Sequence, residues 1–580
     1  MSTRLRILSI VLMATAGLTT AGAAKAYPHR WVRMESDLSS DREVERLRRV
    51  IQIASNHKLT GILFAAAFDS ISLKGPEYLA RLQAVKRYAV AQGLEIIPSF
   101  LTLAYTWDLL PHDRNLAEGL PVKDALFVVA KGQAALQADP PVSIFNGGFE
   151  NAQDSLPANF KVPAKASGVL ALDSQVFHEG KRSLRFESAK PLGLEWASIS
   201  QTVRVRPYRQ YRLSCWVRTE KFLGTYETGS FQIDALGGNE KRPLLYEWPG
   251  IDATQGSGPY TPVRSMIPLT GDWQKVAIGF NSWGYDRVEI APKIRSGTRG
   301  KLWLDDLRIE EVGLINVVRR PGTPVTVKGE RTGVVYEENR DYAPIADPPL
   351  TFQYDHDAPP IRILPGSRIR EGERLRVSYY HGVIFHNGTT PVCPSEPKLY
   401  EIWEKQVRLV QQYLSPNKYH LHMDDARTGG SCLACKKRGL TLPQIMGDCI
   451  TRQFKMIRAE NPNAEVYIWG DVLDPNQDAK PDGKPYFLAD GNYAGTFNYV
   501  PKELKITCWG YSHRDLSLHH FSSLGFETMA AAYYDADDLE NVKGWLQALD
   551  TTPGSIGIIY TSWKNKYDLL SKFGDLLATR

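Results

Sequence analysis

The chain's chemistry concentrates in two adjacent carboxylates, Asp424 and Asp425, near the end of the run Lys418-Tyr-His-Leu-His-Met-Asp-Asp-Ala-Arg427. The run alternates β-prone and polar residues, and a glycine pair, Gly429 and Gly430, follows it. It reads as a strand that ends by presenting acids to a cleft. Paired carboxyls in such a place suit hydrolysis of a glycosidic bond. One group must protonate the leaving oxygen and another must stabilise the cation forming at the anomeric carbon. Adjacent aspartates also occur in solvated turns. The strand-end position and the neighbours, rather than the dipeptide, favour chemistry.

The neighbours repeat a theme of aromatic beside polar. They are Tyr467-Ile-Trp469-Gly-Asp471, Cys508-Trp509-Gly-Tyr511, Tyr533-Tyr534-Asp535 and Tyr560-Thr-Ser-Trp563. Strand ends of this kind gathered on one face would wall a pocket with carboxylates at its floor. Flat rings stack on the apolar faces of pyranoses, so Trp469, Trp509, Tyr534 and Trp563 are expected to bind substrate. His420 and Asp471 would hold sugar hydroxyls or support the acids.

These residues need a scaffold that brings strand ends together. Predicted strands at 30–34, 61–67 and 94–100 alternate with predicted helices at 41–57 and 77–92, the signature of a parallel α/β fold. From residue 145 the helical periodicity stops. Short alternating segments such as Ser183–Glu187, Tyr211–Arg218, Gln274–Phe280 and Lys301–Glu310 predict a β-sandwich over 145–312. Residues 313–372 stay β-like and proline-rich, and are expected to dock the insert. Alternation resumes over 373–580. Pro394-Ser-Glu-Pro397 opens a helix with Ser395 as its cap, and Leu399, Ile402, Trp403, Val407, Val410 and Leu414 form one face. After the acidic strand comes a helix with the face Met446, Cys449, Ile450, Phe454 and Ile457, then strands at 464–471, 504–511, 527–534 and 555–563. With Leu375–His381 read as an extension of the third strand's loop, eight strands remain, the number a closed barrel needs. The expected fold is α/β, a (β/α)8 TIM barrel split into 27–140 and 373–580. An all-β jelly-roll sandwich would be inserted into a loop on the catalytic face.

The order of these motifs resembles the β-hexosaminidase family of retaining glycosidases. Pro394–Pro397, His420–Asp425, Trp469–Asp471, Tyr533–Asp535 and Trp563 follow that family's order of helix start, acidic strand and aromatic strand ends. The likeness spans residues 390–565, with a fainter match at 30–100. Where that family carries Gly-Gly-Asp-Glu, this chain has His422-Met-Asp-Asp425; the Asp-Asp pair is similar to that of the related O-GlcNAc-removing glycosidases. The resemblance implies substrate assistance, in which the sugar's own 2-acetamido oxygen attacks. Asp424 would orient the acetamide N–H and balance the oxazolinium. Asp425, its carboxyl held protonated by burial and its neighbour's charge, would be general acid and then base. Tyr534 would donate its hydroxyl to the acetamido oxygen. An N-acetylhexosamine-containing glycan is the implied partner, and catalysis would need no cofactor. The insert resembles jelly-roll carbohydrate-binding modules at Asn146–Glu150, His178–Arg185 and Leu302–Arg308. Their first and last strands often share a structural calcium, to which Glu150 and Asp306 would contribute.

Other readings are an acetamide-independent glycosidase with Asp471 or Asp535 as nucleophile, and a non-catalytic glycan-binding protein. A metal-dependent hydrolase needs clustered ligands, and His381, His386, His420, His422, His513, His519 and His520 form no metal motif. Six cysteines are present, with one CxxC at Cys432 and Cys435. Zinc would want a second pair or histidines at ligand spacing, so the pair reads as a disulfide or free thiols. A net charge of +6, with acids and bases mixed along 580 residues, leaves no nucleic-acid footprint. Arg4, Arg6, the apolar run Ile7–Ala21 and Ala24-Lys-Ala26 predict a signal peptide over 1–26 and a secreted or periplasmic protein. No later run approaches the ~18 apolar residues of a membrane span.

Overall fold

The computed structural model describes residues 26–166, 168–187, 195–223, 231–247, 267–385 and 390–580. The signal segment before Ala26 and His386 lie outside them. Eight strands close into a parallel barrel in chain order. They are β1 His29–Glu35, β2 Gly61–Ala65, β3 Glu95–Phe100, β4 Lys418–Leu421, β5 Glu465–Trp469, β6 Lys505–Cys508, β7 Glu527–Tyr533 and β8 Ser555–Thr561. Closure is made by β1 on β8, with Trp31 opposite Ile559. Every predicted barrel strand is one of these eight. The short apolar runs identified them, because a parallel barrel buries both faces of each strand. Trp31, Leu63, Ile97, Tyr467, Trp469, Met529, Ala531 and Ile559 pack together in one core cluster. Their alternates, such as Val32, Ile62, Tyr419, Ile468 and Ile558, join the larger core shared with the helices.

The helices are α1 Asp41–Asn56, α2 Pro76–Ala91, α3 Pro397–Leu414, α4 Leu433–Lys436, α5 Leu442–Glu460, α6 Arg514–Ser523, α7 Glu540–Thr551 and α8 Leu570–Ala578. The expectation of a complete (β/α)8 ring is not met. Between β5 and β6 the helical pieces are the 3₁₀ turns Asp471–Leu473 and Thr496–Tyr499. That crossover contains Asp474-Pro475 and Pro481-Asp-Gly-Lys-Pro485, where proline and glycine deny a helix its interior hydrogen bonds. The start of α3 also differs from its sequence reading. Glu396 is the N-cap and makes no side-chain bond that caps the helix, while Ser395 Oγ accepts from Arg438 3.4 Å away. Thr441 and Gln444 form a capping box at the start of α5.

Leu375–His381 is no barrel-loop extension. It belongs to Arg374–His381, which pairs antiparallel with Leu120–Ala130 in a separate six-stranded sheet. Leu120–Ala130 escaped the sequence reading because its run was counted with the barrel. Two further five-stranded antiparallel sheets follow. One is centred on Gln210–Leu223 and Arg299–Val312, the other on Phe231–Gly237 and Arg287–Arg295. Leu213, Val217, Leu302 and Leu304 of the first meet Ile233, Ala235, Ile290 and Ile294 of the second in one core. That shared core makes them a sandwich, and Cys215 lies buried within it. All of this sits between β3 and β4, so it leaves the barrel at the end that also carries Asp424.

Candidate active site

Asp424 and Asp425 lie just past the end of β4, at the carboxyl ends of the barrel strands. The chain turns sharply there: Asp425 has φ +52°. A non-glycine residue pays for that conformation, and such strain gathers at functional sites. Asp424 is 7% exposed, with His422 Nε2 3.2 Å from its Oδ1. Burial works to lower His422, but the Asp424 charge and hydrogen bond outweigh it and hold the imidazole above its ordinary range. Asp425 is held from two sides. Arg427 Nη2 donates to its Oδ1 at 2.6 Å, and the Tyr105 hydroxyl donates to its Oδ2.

Beyond β5 stand two more carboxylates, Asp471 and Asp478. One oxygen from each of Asp425, Asp471 and Asp478 lies within 4.8 Å of the other two. Burial, then the charges of Asp478, Asp424 and Asp425, push Asp471 well above the usual carboxylate range. Trp509 Nε1 donates to its Oδ2 at 2.9 Å, while Oδ1 is buried without a hydrogen-bond partner among the described residues. Burial and the Asp425 charge raise Asp478 to about 6. Carboxyls this close cannot all ionise cheaply, so each disfavours the charge of its neighbours. The groups pushed upward are Asp471 and Asp478.

The aromatic strand ends do converge. Trp509 and Tyr534 stack with centroids 5.7 Å apart, and Trp563 sits 6.4 Å from Tyr534 and 6.2 Å from Trp469. Arg33, from β1, lies 3.7 Å over the Trp563 ring. Burial and the charges of Asp471 and Asp424 keep the Tyr534 phenol protonated well past its normal range, so it remains a donor. Three consecutive residues at this wall, Tyr533, Tyr534 and Asp535, have φ of +82°, +51° and +57°. Asn541 holds the bend, accepting from Tyr533 N at 2.9 Å and donating to Tyr533 O at 2.6 Å. Asp535 accepts from the Ser562 hydroxyl and from Trp563 N at 2.9 Å, which ties β7 to β8 and occupies a group considered as a nucleophile.

Two expected substrate contacts are placed deeper. His420 is fully buried inside the barrel, 4.8 Å from Trp469, with Nε2 3.2 Å from Thr507 Oγ1. Burial drives its imidazole neutral. Trp469 is 1% exposed and forms the floor under Trp563. Tyr511 stays outside the pocket, against Trp545. In the insert, Glu150 Oε1 accepts backbone N–H groups of Lys181 and Arg182, and Asp306 pairs with Arg308 at 2.6 Å.

Sequence reasoning missed Tyr105, Asp478 and the partnership of His422 with Asp424. Tyr105 lies in a Tyr-Thr-Trp cluster after β3, an aromatic signal of the kind used elsewhere. Asp478 lies among turn residues and carries no such signal.

No family model matches the chain, and no curated protein matches it. Among solved structures it is similar to a rhamnosidase from Novosphingobium sp. PP1Y, at 11% identity and a TM-score of 0.31. That likeness covers 93% of this chain and 55% of the rhamnosidase, so the chain spans about half of that protein's length. A CBM4 structure matches at 15% identity and a TM-score of 0.20, over 29% of this chain and 99% of that one. The CBM22-1 xylan-binding domain from Paenibacillus barcinonensis Xyn10C matches at 13% identity and a TM-score of 0.19, over 29% and 92%. The solved-structure neighbours thus include a glycoside hydrolase and CBM domains. At such identities the chemistry has to be read from the side chains themselves.

Proposed function

We propose that this protein is an exported glycoside hydrolase acting on N-acetylhexosamine-containing glycans with retention, through the substrate's acetamido group. One observation carries the reading: four carboxylates gather at the barrel mouth with a wall of Trp509, Tyr534 and Trp563, and three of them place an oxygen within 4.8 Å of one another. Asp424, paired with His422, is the charge that would orient the acetamide and balance the oxazolinium. Asp425 is the group that would exchange the proton with the glycosidic oxygen. Asp471 and Asp478 would keep that proton in the cluster at the working pH. Tyr534 would donate to the acetamido oxygen, and the exposed ring of Trp563 would stack on the sugar.

A second reading has its own observation. An oxygen spacing within 4.8 Å between Asp425 and Asp471 approaches the ~5 Å of a retaining pair with a carboxylate nucleophile. The two readings separate on an aryl N-acetyl-β-glucosaminide and the matching aryl β-glucoside, with wild type, Asp424→Asn and Asp471→Asn. Substrate assistance expects cleavage of the acetamido sugar alone, lost by at least ~10²-fold in Asp424→Asn. Cleavage of the plain glucoside, retained in Asp424→Asn and lost in Asp471→Asn, would replace it with the second reading. Glycan binding without turnover of either would make the protein a binding module.

A further inference from the structure

The single CxxC acquires partners that its spacing could not reveal. Cys393, from the segment leading into α3, places Sγ 3.3 Å from Cys432 Sγ and 3.7 Å from Cys435 Sγ. Glu118 joins them: one ligand atom from each of the four residues lies within 4.8 Å of the others, and all four residues are buried. These three thiols are free, not disulfide-bonded. A disulfide would use two of them and leave the third thiol and a buried carboxylate unexplained.

The carboxylate is dressed as a metal ligand is. Glu118 Oε1 accepts from Ser431 N at 2.9 Å, Ser431 Oγ at 2.8 Å and Cys432 N at 3.2 Å. Glu118 Oε2 is buried with no hydrogen-bond partner among the described residues. A ligating carboxylate binds through one oxygen while outer hydrogen bonds fix the other. In a tetrahedral zinc site, bonds of 2.3 Å to sulfur set the sulfurs about 3.7 Å apart. The observed separations of 3.3 and 3.7 Å already match that scale. Arg320, whose side chain is 5% exposed, brings Nη2 to 3.6 Å from Cys432 Sγ and supplies positive charge beside the sulfurs.

We propose that Glu118, Cys393, Cys432 and Cys435 form a structural site for one zinc-class divalent cation with three sulfur ligands and one oxygen. The position gives it a purpose. Glu118 lies on the stem by which the chain leaves β3 for the insert, and Cys393 on the stem by which it returns. The two stems already touch, through Glu118 N to Pro391 O at 2.7 Å and Cys393 N to Leu116 O at 2.9 Å. Cys432 caps α4 and Cys435 lies within it, at the far end of the segment that starts at Asp424 and Asp425. The cation would therefore pin both stems of the insert to the loop that carries the acids.

The test uses the full chain, purified without chelator. Elemental analysis should find about one zinc per chain, retained in Cys449→Ser and lost in Cys435→Ser. Replacing zinc with Co²⁺ should give the visible bands of tetrahedral cobalt and a near-ultraviolet sulfur-to-cobalt charge-transfer band. Glu118→Gln should keep the charge-transfer band and weaken zinc binding by at least about tenfold. Where Cys435→Ser fails to fold, the cobalt spectrum of the wild type and the Glu118→Gln affinity still decide. Intact-mass analysis showing a Cys393–Cys432 disulfide, or three thiols titratable under native conditions with no bound metal, would overturn the site.

Discussion

Asp471 is the residue where chemistry and stability pull apart most clearly. Its carboxyl is buried, raised by burial and by the nearby Asp478, Asp424 and Asp425, and left with one unpartnered oxygen. A carboxyl raised in the folded state binds its proton more tightly than in the unfolded chain. Its favourable contribution is therefore complete below the unfolded value and is lost as pH rises through the folded one. Asp471→Asn should raise the melting temperature at pH 7.5 by a few degrees, on the order of 1–3 kcal/mol, and the gain should vanish near pH 4. The same substitution should abolish turnover. A lower melting temperature at pH 7.5 would mean the carboxylate is a structural acceptor. The rate profile follows the same sign: with Asp478 at about 6, activity that needs the cluster's proton should fall as pH climbs past that value. Asp478→Asn should move that alkaline limb, with Asp425, Arg427 and Tyr486 as the neighbouring groups that set it. Asp424 and Asp425 were legible in sequence because a strand end announces itself by alternation. Asp478 was not, because a carboxylate among prolines and glycines looks like any solvated turn until the fold brings it against another acid.

At the scale of elements, the end of β7 shows how one aromatic strand end is aimed. Three successive non-glycine residues stand in the left-handed region, and the Asn541 side chain holds the first of them by both its N–H and its C=O. That bend sends Tyr534 to Trp509, while Tyr533 stacks outward on Tyr560 with centroids 4.1 Å apart. Asn541→Ala removes both bonds and should cost about 1–3 kcal/mol of stability. It should lower kcat on the N-acetyl substrate by roughly tenfold, because Tyr534 swings off line. A change in melting temperature with kcat intact would show the bend to be structural alone. The eight strands were readable because each is a short apolar run, buried on both faces and bounded by turn residues. The missing helix after β5 follows from proline and glycine placement. The pairing of Leu120–Ala130 with Arg374–His381 joins segments on opposite sides of the sandwich in sequence. Local pattern holds no record of such a partner.

Across the whole molecule, the sandwich reaches the acids by a short mechanical path. Arg242, on a strand of the sandwich and 7% exposed, donates Nη2 to Ala489 O at 2.8 Å and Nε to Phe487 O. Leu488–Ala489 pairs with Thr428–Gly429, directly after the acidic loop. The Phe487 ring lies 5.4 Å from the Arg427 guanidinium, whose Nη2 holds Asp425. The proposed cation grips the same loop from the other side, at Cys432 and Cys435. The insert is thus placed to act as a brace on the loop that carries Asp424 and Asp425. Arg242→Ala should leave the barrel folded, since the barrel core does not use it, and should free two backbone carbonyls from the sandwich. The expected result is roughly a tenfold fall in kcat/KM with faster hydrogen exchange over residues 486–490 and 428–430. Faster exchange without a fall in rate would mean the acids are fixed from within the barrel, by Tyr105 and Arg427 alone. An unchanged exchange pattern would mean that Phe487 is held by its own neighbours, Tyr486 and Phe385, and that the sandwich only rests on them.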